Sequence, residues 1–99
     1  MKLTIIIVSY NVRDYLGQCL RSIDRAMSGL DVEVIVVDNC SKDGTVDGLS
    51  KEFPWVRLIK SNRNLGFAKA NNQAIRTSKS EYVLLLNPDT IIGEDVLRY

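Results

Sequence analysis

The chain has no histidine. That absence removes the Ser-His-Asp arrangement, the histidine general base and the histidine-rich metal site together. Chemistry has to rest on Asp, Glu, Asn, Lys, Arg or a bound metal. Cysteine is scarce as well: Cys19 and Cys40 make no CxxC pair, which favours a reduced cytoplasmic setting over a disulfide framework. There is no excess of either charge, with 13 basic against 12 acidic residues, so no field points to nucleic acid. No stretch approaches the ~18 apolar residues of a membrane span. Lys2 followed by Leu3-Thr4-Ile5-Ile6-Ile7-Val8 imitates a leader, but it is short and meets Asn11, Arg13 and Asp14 without a small-residue cleavage site. No glycine-rich phosphate loop of the GxGxxG or GxxxxGK[ST] kind is present, so a nicotinamide or ATP site lacks its usual signature.

What the 99 residues do contain is an alternation of strand and helix patterns. Leu3 to Val8 is β-branched and apolar throughout, and Ser9-Tyr10-Asn11 closes it. Asn11, with Asp14 three residues on, suits a helix N-cap. Val12, Leu16, Cys19, Leu20, Ile23 and Met27 then recur at helical spacing to about Ser28, before Gly29. Val34-Ile35-Val36-Val37 is a second strand, followed by the turn-rich Asp38-Asn39-Cys40-Ser41-Lys42-Asp43-Gly44-Thr45. A helix carrying Val46, Leu49 and Phe53 stops at Pro54, and Trp55 to Lys60 forms a weaker strand suited to an edge. Leu65 to about Ser78 is a helix with Phe67, Ala70, Ala74 and Ile75 as its apolar stripe. Tyr82 to Asn87 is a fourth strand, whose unbroken apolar run predicts burial on both faces, and Glu94 to Tyr99 starts a further helix.

Regular alternation of this kind implies right-handed crossovers and a three-layer α/β/α sandwich with a mostly parallel four-stranded sheet. The natural doubly wound order is 3-2-1-4, which brings the first and fourth strands together where the winding reverses. Ligands of open α/β sheets bind outside the carboxyl ends of strands at that point. Ser9-Tyr10-Asn11, Asp38 and Asn87-Pro88-Asp89 therefore converge on one crevice. Asp38 can accept from a base N–H or a ribose hydroxyl, or cap the turn that follows it. Asp89 can hold a hard cation, Mg2+ or Mn2+, together with diphosphate oxygens and water, or close an Asx turn. Arg63 and Lys69 are candidates for a diphosphate or plain solvated charges. Asn71 and Asn72 sit unusually in mid-helix, either for function or for a bond to a neighbouring loop.

At this point the residues resemble a family. The opening strand with Ser9-Tyr10-Asn11 is similar to the N-terminal half of the family 2 (GT-A fold) inverting glycosyltransferases. Val36 to Thr45 looks like that family's VDDGSxDGT segment. Asn62-Arg63-Asn64-Leu65-Gly66-Phe67-Ala68-Lys69-Ala70-Asn71-Asn72 looks like its N-x-G-x-x-x-A-x-N approach to a helix, and Leu84 to Asp89 stands where its DxD motif belongs. The four in order cover almost the whole chain. The resemblance implies a nucleotide-diphosphate sugar donor, dTDP-, UDP- or GDP-linked. Ser9, Tyr10, Asn11, Asp38, Asn39, Asn71 and Asn87 would then surround the nucleotide, with Asp89 on the divalent metal. Two departures stand out: Asn39 replaces the second acid of the usual pair, and Asn87 the first acid of DxD. The Asn-Pro-Asp version is similar to the rhamnosyltransferase-like branch.

The same resemblance implies inverting transfer to an acceptor hydroxyl, on a saccharide or a lipid-linked carrier, in cell-surface polysaccharide synthesis. It implies a cytoplasmic protein, at the inner membrane face in its full-length form. Residues 1–99 are expected to be the nucleotide-sugar-binding part, inactive alone, with the catalytic base beyond Tyr99. The fourth strand would then be an open edge suited to self-association. Competing readings are a GT-A-like nucleotidyltransferase, which wants a basic phosphate loop near the first strand, and a non-catalytic nucleotide-binding or assembly module. A receiver domain needs an acidic pair where Ser9, Tyr10 and Asn11 stand.

Overall fold

The computed structural model of the chain describes residues 3–27, 29–61 and 63–89. The expected helix at Glu94–Tyr99, together with Ser28 and Asn62, lies outside them. The elements run β1 (Leu3–Ser9), α1 (Arg13–Ala26), β2 (Val32–Asp38), α2 (Thr45–Glu52), β3 (Arg57–Lys60), α3 (Phe67–Thr77) and β4 (Tyr82–Leu86). The four strands form one sheet in the order β3-β2-β1-β4, and every pairing is parallel. The expected topology is therefore the observed one, and it rests on β1, which pairs with β2 along Leu3–Ser9 and with β4 along Leu3–Ile7.

The two faces of the sheet bury different residues. Ile5, Ile7, Val34 and Val36 face α1 and α2 and pack with Leu16, Cys19, Leu20, Ile23, Leu49 and Phe53. Ile6, Ile35 and Val37 face α3 and meet Ala70 and Ala74, whose small side chains let that helix lie close. Burying each such Ile or Val is worth about 1.5–3 kcal/mol. At the amino ends of the strands Phe53 meets Trp55 edge to face, ring centres 6.0 Å apart. There too, the Ser78 hydroxyl donates to the Thr4 hydroxyl at 2.8 Å, tying the end of α3 to the start of β1.

Four local expectations are corrected. Asn11 does not cap α1: the cap position is Val12, with no side-chain bond. Asn11 instead takes a left-handed backbone, φ 52°, and its Oδ1 accepts from the Lys42 amide at 2.8 Å. A bond across two loops has displaced the local one, and Asp43 Oδ2 takes the Arg13 amide at 3.0 Å. Second, β3 begins at Arg57 rather than Trp55, because Phe53 to Val56 closes a turn, with the Val56 amide on the Phe53 carbonyl at 3.1 Å. Third, Phe67 and Ile75 point away from the core, and Asn71 takes a buried place beside the alanines. Fourth, β4 is not buried on both faces: Tyr82, Val83 and Leu85 are exposed, and only Leu84 and Leu86 lean on the α1 side of the core. Among the described residues β4 pairs with β1 alone, so helices packed over the sheet's centre leave it open.

Candidate functional site

In a parallel sheet the crossovers return each helix so that its N-terminus stands at the carboxyl ends of the strands. Here that rim is built mainly from the turns after β1 and β2. Ser9 and Asp38 are register partners, so they end adjacent strands side by side. The Asn39 amide continues the ladder to the Ser9 carbonyl at 2.8 Å, and the Ser61 amide reaches the Asp38 carbonyl at 2.9 Å. Asp38 is 2% exposed and Ser9 is fully buried. One carboxylate oxygen of Asp38, Oδ2, accepts the Ser41 amide at 3.0 Å. The other, Oδ1, has no partner, and neither does the Ser9 hydroxyl. A buried oxygen left unsatisfied costs roughly 1–3 kcal/mol, so these two neighbouring oxygens are free to take up a polar ligand or water.

The loops around this pair are laced to each other. The Asn11 amide donates to the Ser41 hydroxyl at 2.9 Å, while its side chain holds Lys42. Asp43 serves two helices, taking the Arg13 amide of α1 on Oδ2, and the Thr45 amide and hydroxyl of α2 on Oδ1. Burial works against the charge of Asp43, but the bonds from the Thr45 hydroxyl and the Arg13 amide outweigh it and hold the carboxyl below its ordinary range. Sequence reading did not single out Asp43; its signal was an Asp two residues before Thr45 at a helix start.

The remaining predicted residues fall into two groups. Tyr10, Asn87 and Asp89 are exposed at the rim, the last two just beyond β4. Asn39 and Asn71 are buried with their amides engaged. Asn39 accepts the Leu65 amide at 3.1 Å and donates to the Gly66 carbonyl at 3.3 Å. Asn71 donates to the Phe67 carbonyl one turn back at 3.1 Å. Arg63 and Lys69 are exposed on the turn before α3 and in its first turn. Burial, and then the charge of Asp89, pushes the Cys19 thiol up to about 11, so it stays protonated and inert in the core. Among the described residues no group of three or more acidic or sulfur ligands assembles. A separate groove of about 380 Å3 runs between α1 and α2, past Arg13, Gly17, Arg21, Gly48 and Glu52, and includes neither Ser9 nor Asp38.

Residues 4–99 match the profile of Glycosyl transferase family 2. The chain belongs to that family. Poly(ribitol-phosphate) beta-glucosyltransferase of Bacillus spizizenii is 36% identical over 102 residues, which is 98% of this chain and 16% of that protein. The fold superposes on TarS 1–349 of S. aureus, crystallised with UDP, with TM-score 0.88 and 28% identity over 99% of this chain and 30% of that one. It also superposes on the mannosyltransferase PcManGT of Pyrobaculum calidifontis, in complex with GDP-Man and Mn2+, with TM-score 0.82 and 28% identity over 96% of this chain and 30% of that one. The four-stranded sheet of this family member is that of the GT-A glycosyltransferases. The chain spans less than a third of each of these relatives.

Proposed function

We propose that these residues form the donor-binding part of a glycosyltransferase that takes a nucleoside-diphosphate sugar and passes the sugar to an acceptor hydroxyl of a growing polysaccharide. The observation that carries the reading is the pair of buried, unpartnered oxygens, Asp38 Oδ1 and Ser9 Oγ, at the ends of adjacent central strands. A nucleoside offers complementary groups: a base N–H or ribose hydroxyl for the carboxylate, and a donor or acceptor for the serine. That UDP and GDP-Man are bound by structural neighbours, and that a relative builds on poly(ribitol-phosphate), supports this choice.

Asp89 fits the divalent ion that the family implies. It is a single exposed carboxylate next to the crevice, the donor type and number that Mg2+ or Mn2+ accepts when diphosphate oxygens and water fill the other positions. When bound, the ion supplies charge compensation for the departing diphosphate. Asn87 adds an uncharged hydrogen-bonding group where the DxD pattern has an acid. The Asn-Pro-Asp version is similar to the rhamnosyltransferase-like branch, and the donor in this reading is a dTDP-, UDP- or GDP-linked sugar. Transfer is read as inverting: the acceptor oxygen attacks the anomeric carbon, the bond to the diphosphate oxygen breaks, and the acceptor proton passes to a base. We assign that base to none of the described residues. A cytoplasmic setting suits Cys19 and Cys40, which form no disulfide with each other.

Calorimetric titration with UDP, GDP and dTDP, with and without Mn2+, tests the reading. At least one nucleotide binds, and Asp38→Ala weakens it about a hundredfold, the loss expected for a buried charged hydrogen bond. Equal affinity in wild type and Asp38→Ala would refute the site.

A further inference from the structure

Asn39 stands beside the open oxygen of Asp38, yet its own side chain faces another way. Its backbone amide is held by Ser9 of β1 at 2.8 Å, and its side chain reaches the turn that leads into α3. There it meets one donor and one acceptor: the Leu65 N–H at 3.1 Å and the Gly66 carbonyl at 3.3 Å. Only an amide satisfies both, since a carboxylate can accept from Leu65 but would oppose the carbonyl lone pairs of Gly66. Asn39 is 3% exposed, so little water reaches its side chain to relieve that opposition. This is a physical reason for the amide at 39, where the family pattern has an acid.

The turn it grips is demanding. Gly66 caps α3 with φ 79° and ψ 168°, a backbone region that is essentially glycine's alone. Nothing lies within 4 Å of where a Cβ would stand, so the constraint is conformational rather than steric. Asn64 holds the same residue from the solvent side, its Oδ1 accepting the Gly66 amide at 2.9 Å. The Gly66 carbonyl also takes the first α3 bond, from the Ala70 amide at 3.3 Å. Asn39 thus fixes where α3 begins relative to the end of β2, and with it the positive helix end, with Arg63 on the turn before it and Lys69 in its first turn.

We propose that Asn39 is a positioning residue: it docks the lead-in of α3 onto the end of β2 beside the Asp38 pocket and acts on the nucleotide through that docking, without touching it. The proposal rests on the donor-site reading for its ligand but not for its geometry. Two measurements on the full chain test it together, hydrogen exchange at the Leu65 amide and titration with UDP, GDP and dTDP in Mn2+. Asn39→Asp and Asn39→Ala should each exchange Leu65 at least tenfold faster and bind nucleotide about tenfold more weakly. Asn64→Ala, on an exposed turn, should weaken nucleotide by a smaller factor. Asp38→Asn should weaken nucleotide and leave Leu65 exchange unchanged. Wild-type Leu65 exchange in both Asn39 variants overturns the docking, and if nucleotide still weakens, Asn39 is a direct ligand. Faster exchange with unchanged nucleotide affinity overturns its link to the site. If wild type binds none of the three nucleotides, the donor-site reading fails, and Leu65 exchange alone decides the docking.

Discussion

Two carboxylates reach the same rim in opposite conditions. Asp38, at the end of β2, is buried, with one oxygen fixed by Ser41 and its loop laced to the neighbouring turn through Asn11 and Asp43. Asp89, beyond β4, is exposed, and β4 itself is half open to solvent. In the proposed site the contrast separates two tasks. A group that must read hydrogen-bonding edges gains from being held rigidly and desolvated, because its bonds strengthen and wrong partners leave it unsatisfied. A group that must share an ion with water and diphosphate oxygens gains from access.

The largest effect that tests this contrast is on packing. Ile6 and Leu85 are register partners on the α3 side of the sheet, fully buried and 44% exposed respectively. Ile6→Ala should lower the unfolding free energy by about 2–5 kcal/mol in urea melts. Next, Asp89→Ala should abolish the Mn2+-dependent part of nucleotide affinity, about tenfold if one carboxylate contact to the ion is lost, while leaving affinity without metal unchanged. An equal loss with and without Mn2+ would place Asp89 in the nucleotide pocket instead. Smaller still, Asp43→Ala should cost ~1 kcal/mol at neutral pH through the lost bonds to the first amides of α1 and α2. Because the Asp43 carboxyl is held below its ordinary 3.8, its contribution is complete above that value and disappears as pH falls through the lower folded value. Thermal melts at neutral and strongly acidic pH should therefore show the gap between wild type and variant closing in acid. The smallest effect is Leu85→Ala, under about 1 kcal/mol, since most of what it removes is already in water. If Leu85→Ala matched Ile6→Ala, β4 would be as well buried as β1.

The pattern of strands and helices was legible because β1, β2 and β4 are compact apolar runs, while the weaker β3 was placed two residues early; alternation and crossover handedness gave the parallel sheet, for which 3-2-1-4 is the natural doubly wound order. Asp38 was legible for the same reason: a carboxylate directly after a buried strand has one place to go. Burial of β4 was not, because an apolar run records what a strand tolerates, not what covers it. Asn11 misled because its cap bond and its bond to Lys42 use the same atom, and only the fold shows which partner is nearer. Asn39 was noticed as a departure, but its two partners lie 26 and 27 residues away, beyond the range of any local pattern. Phe67 and Ile75 have helical spacing, yet Asn71 takes the inner position because its amide can bond back to Phe67.

Trp55 is the only tryptophan of the chain, and it sits at the amino ends of the strands, stacked edge-on against Phe53. The crevice lies at the other end of the same strands. Tryptophan fluorescence, excited where the tyrosines do not absorb, is therefore an unfolding signal remote from the nucleotide crevice. A melt followed at Trp55 reads the hold of α2 and β3 on the sheet, and any ligand-induced rise in its midpoint is transmitted through the whole thickness of the fold.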